Sequence, residues 1–153
     1  MTHITKLSVI IPVYNEKTTI STIIDKVSKV KLSKQIIIVD DGSTDGTSKV
    51  LRQLVKTKKL NSSTTLEIIF QPLNLGKGTA IRTALKYASG DYVIIQDADL
   101  EYDPQDYLKL IKPVVDDKAT VVYGSRFTGE RRNMFFWHWV ANHALTLLTN
   151  ILY

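Results

Sequence analysis

The run Leu7-Ser8-Val9-Ile10-Ile11-Pro12-Val13 sets the architecture of this chain. Apolar side chains follow one another with a single hydroxyl among them and no polar–apolar alternation. Both faces of such a strand must be covered, as in a parallel sheet. Four more short β-branched runs repeat the pattern: Gln35 to Val39, Leu66 to Phe70, Tyr92 to Ile95 and Thr120 to Tyr123. Between them the period becomes helical. Ile20, Ile23, Ile24 and Val27 keep i, i+3, i+4, i+7 spacing; Ile81, Ala84, Leu85 and Ala88 do the same, and Leu108, Ile111 and Val115 mark a further face. Strands alternating with helices predict an α/β fold, a mostly parallel open sheet of five strands joined by helical crossovers and flanked by helices.

Ligands of open α/β sheets lie beyond the carboxyl ends of the strands, and in this chain those ends are polar. Tyr14, Asn15 and Glu16 follow the first run, and Asp40-Asp41-Gly42-Ser43 the second. Asn74 to Gly78 follow the third, Asp97 and Asp99 the fourth, and Gly124-Ser125-Arg126 the fifth. Donors, acceptors and carboxylates at five strand ends suit one shared crevice.

Composition bounds what that crevice can bind. The 153 residues fit one domain with a real core, and the 44% hydrophobic and 23% charged content suits a globular unit. With no cysteine, disulfides and thiolate metal sites are excluded, so any metal sits on oxygen or histidine. The net charge of +5 and a pI near 9.3 suit nucleic acid, anionic lipid or a phosphorylated substrate. Lys26, Lys29, Lys31, Lys34, Lys56, Lys58 and Lys59 are scattered and form no stripe interleaved with aromatics. No nucleic-acid partner is therefore expected. Met1 to Lys6 is polar and carries no charged-then-apolar leader, which predicts a cytoplasmic protein.

Asp97 and Asp99 bracket one small residue after the run YVIIQ. Like charges this close repel unless a cation neutralises them. A hard divalent ion, Mg²⁺ or Mn²⁺, takes a few carboxylate oxygens and completes its shell with substrate phosphates. The pair also reads as turn formers before Pro104, but its place after a buried strand favours the metal. Glu101 could be a third ligand, direct or through water. Asp40 and Asp41 end another strand, where a rigid carboxylate can accept from a nucleobase imide or a ribose hydroxyl. One of these neighbours also serves an Asx turn, and Thr44 or Asp45 caps the next helix. Asn74-Leu75-Gly76-Lys77-Gly78 opens a helix near Thr79. Its glycines allow close approach, its helix end attracts anions, and Lys77 offers a point charge. By itself this short stretch reads as a loop with a solvated lysine, and it is not a P-loop. Arg126, Arg131 and Arg132 lie in an aperiodic stretch that could close over a diphosphate or an acceptor phosphate, or could be solvated.

From Met134 to Tyr153 a helix is predicted. One arc holds His138, Asn142, His143, Thr146, Thr149 and Asn150, and the opposite face is apolar, with Phe136, Trp137, Val140, Ala144, Leu147, Leu148 and Ile151. Such an amphipathic helix could lie in a membrane interface or pack on protein, and its six polar positions argue against spanning. The expected organisation is a core over residues 1–133 and this helix over 134–153.

Taken in order, SVIIPVYNE, VDDGSTDGT, NLGKG, IIQDADLEYDP and VVYGSRF with its arginines make the sequence resemble glycosyltransferase family 2 from Leu7 to Tyr153. Within that family it is similar to the polyprenyl-phosphate (dolichol-phosphate) mannose and glucose synthases. The resemblance implies a GT-A, Rossmann-like fold and inverting transfer of a hexose from a nucleoside diphosphate sugar, UDP-glucose or GDP-mannose in type, to a polyprenyl phosphate. It places Pro12, Tyr14 and Glu16 along the nucleoside, one of Asp40 and Asp41, with Asp41 preferred, on the base, and Lys77 near the nucleotide. Asp97 and Asp99 would hold the metal and diphosphate, with Glu101 as another metal contact, and Arg126 and Arg131 would face phosphates. Asp97, Asp99 and Arg126 are the expected catalytic residues. Relatives continue well beyond the last predicted helix, so a donor-binding module without turnover, or a family member with a saccharide acceptor, stands as the alternative. Peripheral contact with the cytoplasmic face of a membrane and oligomer formation are compatible with this reading. A phosphoacceptor receiver domain also clusters aspartates, but its acidic pair follows the first strand, where Pro12-Val13-Tyr14-Asn15-Glu16 stands here.

Overall fold

Strand β1 (Leu7–Val13) is buried along its whole length, as an apolar run without alternation requires. The computed structural model describes residues 6–57, 60–124, 140, 144 and 146–149. Within them β1 is followed by α1 (Ile20–Lys29), β2 (Lys34–Asp40), α2 (Thr47–Thr57), β3 (Thr64–Phe70), α3 (Lys77–Leu85) and β4 (Tyr92–Ile95). A 3₁₀ turn at Pro104–Asp106 then leads into α4 (Tyr107–Val115). The sheet order is β3-β2-β1-β4 and every pairing is parallel, with Leu7 opposite Lys34 and Tyr92, and Asp40 opposite Val13 and Phe70. After β3 the chain crosses back to the other side of β1. The order therefore reverses between β1 and β4, which is where an open α/β sheet leaves a crevice.

Side chains of β1 divide by the period-2 rule. Val9, Ile11 and Val13 meet Ile20, Ile23, Ile24 and Val27 of α1 and Leu51 of α2. Ile10 turns the other way, with Ile37 and Val39, against Ala80 and Ala84 of α3. Alanine at those two positions presents little side-chain bulk between helix and sheet. Each fully buried isoleucine contributes about 1.5–3 kcal/mol relative to exposure. At the end of α1, Lys34 is completely buried, and its ammonium donates to the carbonyls of Val30 at 2.6 Å and Leu32 at 3.0 Å. It closes the turn that leaves α1, where Val30 O also accepts from Leu32 N at 2.9 Å. Burial pushes its pKa below the ordinary lysine value.

Four of the five predicted runs are strands. Thr120 to Tyr123 is not: residues 119–124 have no regular structure, and Val121 and Tyr123 are 66% and 90% exposed. A strand exists only through pairing, and among the described residues nothing pairs with this run. The chain divides into two compact units, Met1–Val122 and Tyr123–Tyr153. In the second, the described positions 140, 144 and 146–149 are helical. The rest of the helix predicted over 134–153, with His138 and His143, lies outside the described residues. Among the described residues no helix is long and apolar enough to cross a membrane.

Candidate functional site

A cavity of about 330 Å³ opens where the strand order reverses. The chain after β1 gives it Tyr14 and Glu16, with Pro12 and Val13 from the strand itself; Asp41 is the residue that follows β2. Asn74, Gly76 and Lys77 enter from the loop into α3, and Asp97, Ala98 and Asp99 from the end of β4.

The loop after β1 is aimed by Asn15, whose backbone is left-handed, with φ of 58°, a conformation asparagine tolerates better than most residues. Its amide oxygen accepts from the backbone N–H groups of Thr44 at 2.8 Å and Asp45 at 3.3 Å, and its own N–H donates to Ser43 Oγ at 2.9 Å. The first two strand-end loops are thus tied together, and the residues on either side of Asn15 face the cavity. Glu16 is held further by its N–H to Thr47 Oγ1 at 2.9 Å and by the Thr19 hydroxyl, which donates to its carboxylate.

Asp40 and Asp41 are both buried, and the structure separates them. Asp40 accepts from Ser43 N at 3.1 Å and from the Ser48 hydroxyl, and it does not line the cavity. It is the turn former of the pair. Asp41 lines the cavity and accepts from the N–H groups of Leu75 at 2.9 Å and Gly76 at 2.8 Å, one on each oxygen. It anchors the loop that carries Lys77 and keeps lone pairs for a ligand. That loop comes so near β2 that a Cβ on Gly42, at φ of +70°, would lie 2.5 Å from the Leu73 carbonyl carbon. Asp45 supplies the expected cap, accepting from Thr47 N at 2.9 Å.

At the end of β4, Asp97 Oδ1 pairs with Lys77 Nζ at 2.5 Å. The cation that the acidic pair calls for is therefore met in part by the protein, and Lys77 bridges the third and fourth strand ends. Asp99 Oδ1 accepts from Glu101 N at 3.0 Å, so this aspartate is also a turn former, as the alternative reading has it. Glu101 is exposed and does not line the cavity, and no group of three histidine or carboxylate side chains converges among the described residues. Two carboxylates on an open cavity fit Mg²⁺ or Mn²⁺, which are held by one or two protein carboxylates and take their remaining oxygens from substrate phosphate and water. Arg126, Arg131 and Arg132 lie outside the described residues.

Sequence reasoning missed the Lys77–Asp97 pair, the Asn15 tie, and a buried contact in which Tyr107 Oη donates to Gln96 Oε1 at 2.7 Å. An amide or a hydroxyl beside an acidic strand end was a weak signal for any of them.

Residues 8–150 match the profile of glycosyl transferase family 2. A dolichol-phosphate mannosyltransferase from Pyrococcus furiosus is 32% identical over 124 residues, covering 80% of this chain and 33% of the relative. An undecaprenyl-phosphate 4-deoxy-4-formamido-L-arabinose transferase from Proteus mirabilis is 32% identical over 133 residues, covering 84% and 37%. Among solved structures, a mannosyltransferase from Pyrobaculum calidifontis in complex with GDP-Man and Mn²⁺ superposes with a TM-score of 0.58 at 31% identity, over 67% of this chain and 30% of that one. The chain spans about a third of the length of each of these relatives.

Proposed function

The chain belongs to glycosyl transferase family 2, and on that premise we propose that its cavity binds a nucleoside diphosphate hexose for inverting transfer to a polyprenyl phosphate. One observation carries the reading: the crevice at the strand-order reversal gathers Tyr14 and Glu16, Asp41, Lys77, and Asp97 with Asp99 around one space. The family resemblance supports a division of that space. Pro12, Tyr14 and Glu16 line the nucleoside. Asp41, not Asp40, accepts from the base, because only Asp41 lines the cavity. Lys77 meets the diphosphate, and Asp97 and Asp99 hold Mg²⁺ or Mn²⁺, with Glu101 reaching the ion through water. Arg126 and Arg131 face donor or acceptor phosphates.

When bound, the ion would stabilise negative charge on the departing diphosphate. The chain's own part is to hold the donor still, with the nucleoside end fixed by the Asn15 tie and the phosphate end by the Asp41-anchored loop. A phosphate acceptor is already anionic, so no dedicated general base is required. The names of the two curated relatives support a polyprenyl phosphate as acceptor, and the predicted helix over 134–153 would bring the protein to the cytoplasmic membrane face that such a lipid occupies.

Calorimetric titration with UDP-glucose and GDP-mannose, with and without Mn²⁺, tests the donor site. One of the two donors binds in the presence of metal, and Asp99→Ala weakens that binding about a hundredfold, or about 3 kcal/mol. Failure of both donors to bind wild-type protein with Mn²⁺ would sink the assignment.

A further inference from the structure

Gln96 is the last residue before the acidic triplet. It is 2% exposed, and its N–H continues the ladder to Ile10 O at 2.9 Å. Its side chain turns back on the loop that follows. Nε2 donates to the carbonyl of Asp97 at 3.0 Å and reaches the carbonyl of Tyr102 at 3.5 Å, the first and last peptides of the segment 97–102. Oε1 accepts from the hydroxyl of Tyr107, the first residue of α4, which is itself 3% exposed. Two N–H donors and one oxygen are all assigned, so the amide has one orientation. Within the bracketed loop Leu100 has a φ of +68° and packs against the core. A branched residue in that region is strained, and strain of this kind persists only where the surroundings over-determine the backbone.

A core position needs none of this, since an aliphatic side chain would fill the space at no desolvation cost. The polar pair acts instead on the backbone that carries Asp97 and Asp99. We propose that Gln96 and Tyr107 are positioning residues that fix the spacing and aim of the two aspartates toward the divalent ion and diphosphate. The assignment rests on the donor-site reading above. Gln96 sets the ends of the loop, Tyr107 fixes the amide of Gln96, and Asp99 turns on Glu101 N inside that frame.

The test uses the full chain as wild type, Tyr107→Phe, Gln96→Met and the double variant. Binding of UDP and GDP is measured with Mn²⁺, binding of UMP and GMP in EDTA, and melting temperature is followed for each protein. Loss of an outer partner of a metal ligand costs about tenfold in affinity at the low end. Each single variant therefore weakens Mn²⁺-dependent diphosphate binding about tenfold and leaves metal-free monophosphate binding unchanged. Each also lowers the melting temperature: Tyr107→Phe removes the donor to Gln96 Oε1, and Gln96→Met removes the amide partner of the Tyr107 hydroxyl and of the Asp97 and Tyr102 carbonyls. In the double variant no hydroxyl is left facing an apolar side chain, so the melting temperature rises above that of Gln96→Met while the metal-dependent affinity stays low. Affinity that recovers with the melting temperature would make the pair merely structural and overturn the proposal. So would a parallel loss of both kinds of binding, or wild-type metal-dependent affinity in both single variants. Wild-type protein that binds neither diphosphate with Mn²⁺ would instead overturn the donor-site reading, and this inference with it.

Discussion

Asp40 and Asp41 are adjacent and almost equally buried, at 1% and 3% exposure, yet the fold gives them different work. Because strand side chains alternate, one acid turns toward Ser43 and Ser48 and the other toward the loop before α3. Asp40→Asn should lower stability by about 1–3 kcal/mol, because the Ser48 hydroxyl and Ser43 N–H lose a charged acceptor. It should leave nucleoside affinity unchanged. Asp41→Asn should lower both, since the same carboxylate holds Leu75 and Gly76 and faces the ligand. Denaturant unfolding together with uridine and guanosine titration checks this, and equal loss of nucleoside affinity in the two variants would contradict the division. From sequence the two acids were legible as a pair with one turn former between them. Which was which depended on their hydrogen-bond partners, three to 35 residues away.

At the level of elements, β1 and β4 begin and end where their apolar runs do, but only β1 is buried throughout; β4 ends the described strand order, and its Val93 and Ile95 are exposed, against the expectation that both faces are covered. β2 and β3 run past their apolar stretches, to Lys34 and Asp40 at the ends of β2 and to Thr64 and Thr65 at the start of β3. Pairing sets strand ends, and pairing is not written in hydropathy. For the same reason the run at 120–123 read as a strand and is not one. Lys34 shows what such an extension carries. Its folded pKa lies below the 10.5 of an ordinary lysine, so in the window beneath 10.5 the unfolded chain binds more protons than the folded one. Stability from this group therefore rises with pH through that window and falls as pH drops through the folded pKa. Lys34→Met should flatten that rise and remove the ammonium donor from Val30 O and Leu32 O. Urea unfolding of wild type and variant at several pH values between 7 and 10.5 checks the slope, and equal slopes would remove Lys34 as its source.

For the molecule as a whole, the net charge is +5 and, among the described residues, no helix is long and apolar enough to cross a membrane. If residues 134–153 form an interfacial helix, deleting them should reduce co-sedimentation with vesicles containing anionic lipid by about tenfold or more, with donor binding retained. Co-sedimentation unchanged by the deletion would count against it. Inside the first unit, the Asp41 carboxylate is both a wall of the cavity and the post to which the phosphate-side loop is tied. In the language of fragment assembly, a nucleoside and a pyrophosphate would be two pieces sharing one rigid anchor. Occupancy of one end should already have ordered the other, so the intact donor should bind more tightly than the summed free energies of its halves.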